Sequence, residues 1–218
     1  MRGITPKEKS MFSLYHDRPF NIRYAVHQHS GRYTPEVLRT HRTARASWLY
    51  IHRQHGIDLV GPTPDWSVRD DLVASGRCAP ARANHPALDG LGLWDQADTH
   101  AATIRPDEPV CAHAVGSLPI GAGIAGWRSL IEGFSEDHLT SQGMVVDWVI
   151  HQRAADGERP EILPHCHLLI TMRAFDATRP DLGRVRQNWL RTEKARKALV
   201  EKWWAYSGIA PRSYTIAA

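Results

Sequence analysis

The sequence predicts an α+β fold, a central antiparallel β-sheet with helices packed against it. Three observations carry that expectation. Residues 144–173 read as two β-like runs, MVVDWVIH and PHCHLLITMR, joined by the polar stretch QRAADGERPEIL. Two further alternating segments lie at 20–29 and 110–118. Between and after them run segments with apolar residues at helical spacing. An alternating order of helices and strands ordinarily suggests a parallel sheet, but the long hairpin argues against a fully parallel one.

Taken in order, residues 1–19 read as a loosely structured lead-in, followed by one domain over 20–218. In 20–29, Ile22, Tyr24 and Val26 alternate with Arg23, Ala25 and His27, and Ser30 and Gly31 end the strand. His27 and His29 form a His-x-His pair with no third histidine to join them, so they are read as ordinary strand residues. A single helix is expected over 34–56. Thr34 can cap it, Pro35 suits its first position, Glu36 favours its positive end and Gly56 can terminate it. Val37, His41, Ala44, Trp48 and Ile51 form its core stripe. At 100° per residue, Tyr50 shares another side with Arg39, Ala46 and Arg53, with Arg42 at the edge. A tyrosine among three arginines is well placed to meet a phosphate.

Residues 57–92 are rich in Pro, Gly, Asp and Arg and read as loop with short turns. Residues 110–118 read as a strand. The GAGIAG run at 121–126 lacks the surrounding strand, helix and acidic residue of a nucleotide loop. Ile124, Trp127, Leu130, Ile131 and Phe134 instead predict a helix. After 173 comes a polar loop, and from Arg184 the chain turns basic. Thr192 can cap a helix with Ala195, Leu199, Trp203 and Tyr206 on one face and Gly208 past its end. Arg184, Arg186, Arg191, Lys194, Arg196 and Lys197 make this either a solvated helix face or a contact to a nucleic-acid backbone.

The hairpin carries the chemistry. Val145, Asp147, Val149 and His151 share one face of its first run at period two, and His165, His167 and Leu169 one face of its second. Antiparallel pairing sets the end of the first run beside the start of the second, and so His151 beside His165 and His167. Three converging imidazoles make a metal-site geometry with positions left for water or substrate. Imidazole by itself suits zinc, nickel or copper better than magnesium.

Net charge is +4 over 218 residues, which tilts towards an anionic partner. Three widely spaced cysteines form neither a disulfide framework nor a zinc ribbon and point to a reducing cytoplasm. No apolar run approaches the roughly 20 residues of a membrane span, and the start of the chain shows no hydrophobic signal core.

GMVVDWVIH followed by PHCHLLITMR resembles the metal motif of the MobA/MobL conjugative relaxases, within the His-hydrophobic-His (HUH) endonucleases. RTARASWLYIHR resembles that family's helix with the nucleophilic tyrosine, with Tyr50 at the nucleophile's place. Leu93, Trp94, Asp95 and Ala97 resemble the helix start before its second strand. Where the family carries acidic residues ahead of an Ala-Leu-Pro run, this chain has His113 and Val115. That departure leaves His113 as a fourth metal-proximal imidazole or an ordinary satisfied sheet histidine.

The resemblance, over roughly 20–207, implies the antiparallel relaxase arrangement and strand-specific DNA nicking at an origin of transfer by tyrosine transesterification. It implies a divalent cofactor, Mn²⁺ or Mg²⁺, at His151, His165 and His167. DNA, single-stranded or supercoiled, is the implied partner, with accessory mobilisation proteins beside it. Longer relatives continue into helicase or primase domains, so the chain reads as a stand-alone or truncated form. Two alternatives stay open: a degenerate, DNA-binding homologue, and a rolling-circle replication initiator, which often carries its tyrosine after the histidine motif. Tyr206 and Tyr214 lie on that side.

Overall fold

The computed structural model describes residues 18–28, 34–81, 83, 90–104, 107–175, 184–185 and 189–211. The expected lead-in over 1–19 falls almost wholly outside them, as do His29, Arg186 and Tyr214. Five strands form the central sheet: β1 (Phe20–Ala25), β4 (Leu72–Cys78), β5 (Cys111–Ser117), β6 (Val146–Arg153) and β7 (Ile162–Thr171). Their order is β1-β5-β7-β6-β4, and every neighbouring pair is antiparallel. The two histidine-bearing strands, β6 and β7, pair as the hairpin predicts and sit inside the sheet, between β5 and β4, with β1 beyond β5 at the edge. Two small hairpins flank it, β2 (Ile57–Asp58) with β3 (Gly61–Pro62) and β8 (Arg173–Ala174) with β9 (Arg184–Val185).

Period-two alternation sends opposite side chains into opposite cores. Val146, Trp148, Ile150, Cys166, Leu168 and Ile170 meet Trp127, Ile131 and Phe134 of α4 (Gly123–His138) and Leu199 and Trp203 of α5 (Glu193–Ser207). Trp203 approaches β5 closely because residue 116 is glycine; a Cβ there would stand 2.5 Å from its ring. On the other face Val145, Val149 and Leu169 meet Ala44 and Ile51 of α2 (Ala44–Ile51) and Leu93 and Trp94 of α3 (Gly92–Ile104). His151, His165 and His167 belong to this second face. The sheet is thus covered by helices on both sides.

Two expectations require correction. The single helix over 34–56 is two helices, α1 (Pro35–His41) and α2, with Thr34 capping the first as expected. Thr43 adopts an extended backbone and accepts the Ala46 N–H, starting a new helix. Asp98 reinforces the break from α3 by accepting the Ala44 and Arg45 N–H groups at 2.8 and 2.9 Å. Free N–H groups and the helix dipole make such an end a natural carboxylate site. The second correction is β4, which runs through a stretch read as loop. It pairs with β6, and its bulge between Leu72 and Ala74 helps conceal its alternation in the sequence.

Candidate metal centre and tyrosine cleft

Register puts His151 directly opposite His165 across β6 and β7, with His167 two residues on. The three rings pack with centroids 4.7–5.4 Å apart. One nitrogen from each lies within 4.8 Å of the others, the single group of this kind among the described residues. Burial is the first cause holding all three below the usual imidazole range, and the Arg53 charge adds to it at each. His151 is pushed down to about 2. Neutral imidazole is the form that ligates metal.

Backbone carbonyls fix the tautomers of His165 and His151. The Leu163 carbonyl 2.9 Å from His165 Nδ1 can only accept, so Nδ1 carries the proton and Nε2 the lone pair. His167 Nδ1 lies 2.8 Å from His113 Nε2, and His167 Nε2 is buried without a hydrogen-bond partner among the described residues. An orphaned, buried imidazole nitrogen beside two others is what a metal ligand leaves when its ion is removed from the account. His151 differs. Its Nε2 donates to the Ile51 carbonyl at 2.7 Å, and its Nδ1 accepts from Arg53 Nη2 at 2.9 Å. The donor set fits a divalent ion at His165 and His167 directly, and at His151 once Arg53 yields the Nδ1 lone pair.

His113, expected as a fourth imidazole or a satisfied sheet residue, buttresses His167 and stacks on buried His41 with centroids 4.7 Å apart. His27 Nε2 donates to Asp98 Oδ1 at 3.0 Å.

Tyr50 stands in the last turn of α2, its ring 5.7 Å from His167 and 6.2 Å from His113. Trp66 packs edge-on at 5.5 Å, and Arg53 and Arg69 bring guanidinium carbons within 4.9 and 5.6 Å of its centroid. Tyr50, His113, His165 and His167 open into one cleft of about 730 Å³, lined also by Arg23, Arg39, Arg53 and Arg69.

The arginines expected to meet DNA divide. Arg39 is exposed on the cleft wall. Arg42 turns to Asp58 and the carbonyls of Gly61 and Pro62. Arg53 is buried, gripping Asp71 with Nε and Nη2 at 2.6 and 2.8 Å. Arg191 pairs with Glu108, and Arg196 reaches the Leu190 and Arg191 carbonyls. Of Arg184 only the backbone is described. Tyr206 is on α5, across the sheet from the histidines, and its hydroxyl donates to Asp137 at 2.6 Å. Arg69, Trp66 and Asp71 were missed in the sequence. The adjacent acids of DWSVRDD, in a segment without clear periodicity, were the one signal available.

A solved structure bearing on the molecular basis of vancomycin resistance transfer in Staphylococcus aureus is similar in fold. It shares 20% identity, with a TM-score of 0.62 over 86% of this chain and 89% of that one. No curated protein matches the chain. The sequence pattern of the MobA/MobL family matches residues 44–207, from the first residue of the tyrosine helix through the histidine hairpin to the end of α5. The chain accordingly belongs to the MobA/MobL family.

Proposed function

We propose that the protein is a conjugative relaxase that nicks one DNA strand at an origin of transfer through a covalent tyrosine intermediate. Its family membership supports this reading, and one observation carries it: the Tyr50 ring packs edge-on against His167 of the histidine cluster and shares a single arginine-lined cleft with His165 and His167. In this reading Tyr50 Oη attacks the scissile phosphorus and the bond to the 3′ oxygen breaks. A 5′-phosphotyrosyl link and a free 3′-hydroxyl result, and the phosphodiester energy is conserved for rejoining.

The chain's own groups orient and balance charge. Arg53 and Arg69 set positive charge against the Tyr50 ring, where phenolate and phosphate charge develop. Arg39 and Arg23 extend that field along the cleft. Trp66 walls the tyrosine from one side. His151, His165 and His167 are the residues to hold a divalent cation, Mn²⁺ in preference to Mg²⁺ given the imidazole set. Such an ion, when bound, supplies Lewis acidity to a phosphate oxygen.

Tyr50→Phe keeps the ring and its packing and removes the hydroxyl. Nicking and the protein–DNA adduct should disappear, while affinity for an origin oligonucleotide stays within a few-fold. Mass spectrometry of the digested reaction locates the adduct. An adduct on Tyr206 or Tyr214 transfers the role to the replication-initiator reading. No adduct with any metal or origin sequence favours a DNA-binding homologue without chemistry.

A further inference from the structure

One position of the three-histidine cluster is already filled by the protein itself. The Ile51 carbonyl can only accept, so His151 Nε2 carries the ring proton and the lone pair sits on Nδ1. Arg53 Nη2 donates to that lone pair at 2.9 Å. A nitrogen ligand stands about 2 Å from a divalent ion, so a guanidinium nitrogen on the same lone pair leaves no room for it. Like charge opposes the ion as well.

Arg53 is held there firmly. Its φ of 55° is a left-handed backbone that non-glycine residues seldom adopt, and such outliers concentrate at functional sites. Asp71 grips Nε and Nη2, and the Tyr50 carbonyl accepts from Nη1 at 3.0 Å. The side chains of the ion pair are 5% and 4% exposed. Arg53 makes its hydrogen bond to His151 and not to His165 or His167, which it reaches only through its charge.

We propose that Arg53, clamped by Asp71, plugs the His151 position of the metal centre, so that a divalent cation and the Arg53–His151 hydrogen bond exclude one another. This rests on the metal reading of the three histidines. Filling all three ligand positions turns Arg53 out of its seat, where its guanidinium carbon is 4.9 Å from the Tyr50 centroid, and further into the cleft it already lines. Linkage then works both ways: a phosphate in the cleft that draws Arg53 towards it tightens the ion. The site would load its metal best with DNA in place.

The test is the Mn²⁺ dissociation constant of the full chain, from electron paramagnetic resonance of the free ion. Wild type is compared with Arg53→Gln/Asp71→Asn, which leaves net charge unaltered and no carboxylate free to become a ligand. Affinity should rise at least ten-fold, and adding His151→Ala should cancel the gain. Because this buried pair could be needed for folding, a second measurement uses the wild-type protein. Its Arg53 Nε–H nuclear magnetic resonance signal should move on titration with diamagnetic Zn²⁺. Mn²⁺ affinity within two-fold of wild type, with an unmoved Arg53 signal at saturating Zn²⁺, overturns the plug. If His165→Ala and His167→Ala still abolish binding, that outcome leaves the metal centre standing. Absence of binding to wild type and double variant alike overturns both. Binding to the double variant alone supports the plug most directly.

Discussion

His113 shows how one residue's chemistry depends on its neighbour. A metal on His167 Nε2 requires Nδ1 to carry the ring proton and donate to His113 Nε2 2.8 Å away, and His113 would then play the part a carboxylate commonly plays behind a metal-bound histidine. His113→Phe keeps a ring to stack on His41 but removes the acceptor. Mn²⁺ affinity, measured by calorimetry, should fall about 10–100-fold, the usual effect of losing such a partner. Unchanged affinity would reduce His113 to packing. The sequence placed His113 in its strand, and the residue opposite it on β7 is Leu169. Its contact to His167 is diagonal across the pair, which spacing alone could not select between two open readings. Arg53 teaches the same lesson: it lies past the end of α2 with a left-handed backbone, and its partners Asp71 and His151 come from other stretches of the chain.

Among the elements, α2 decides where Tyr50 stands, and Asp98 decides where α2 begins. This carboxylate is 1% exposed and meets two backbone N–H groups and His27. Asp98→Ala strands those donors in the interior and should lower stability by about 3 kcal/mol in urea denaturation. Asp98→Asn, retaining an acceptor, should lose less. Equal losses would mean that the charge contributes nothing at this helix end. The helix signals at Thr34 and Thr192 were legible because capping is local, and both side chains accept an N–H three residues on. Thr43 makes the same local cap, but helical apolar spacing runs across it, and the anion that reinforces the break comes from a residue more than fifty positions away.

For the molecule as a whole, buried neutral histidines set the acid limit. His113, His151 and His167 are 2%, 0% and 4% exposed, and burial, first among the causes, holds each below the usual range. Above the unfolded value near 6.5 neither state binds these protons, and pH has no leverage through them. As pH falls through that value, the unfolded chain protonates while the native one resists. Stability is then lost at up to about 1.4 kcal/mol per pH unit for each histidine. Urea midpoints in metal-free buffer should stay level from about pH 7 to 8 and drop steeply below about 6.5. The drop should flatten in His165→Ala/His167→Ala. A wild-type midpoint indifferent to pH down to about 5 would show that the cluster accepts protons in the native state.

What the sequence determined by itself is the part written in side-chain periodicity. Alternation at 144–173 fixed two antiparallel strands and, by register, the meeting of His151 with His165. Helical spacing marked the apolar face on which Ala44 and Ile51 meet the sheet. These features follow from backbone geometry within one stretch of chain. What only the tertiary structure decided is every pairing between stretches. Arg53 finds Asp71 across 18 positions and His151 across 98, through a β-strand hidden by a bulge and a helix restarted by a distant carboxylate. A buried charge must be satisfied by whatever the fold brings beside it, and no period in the sequence records that choice.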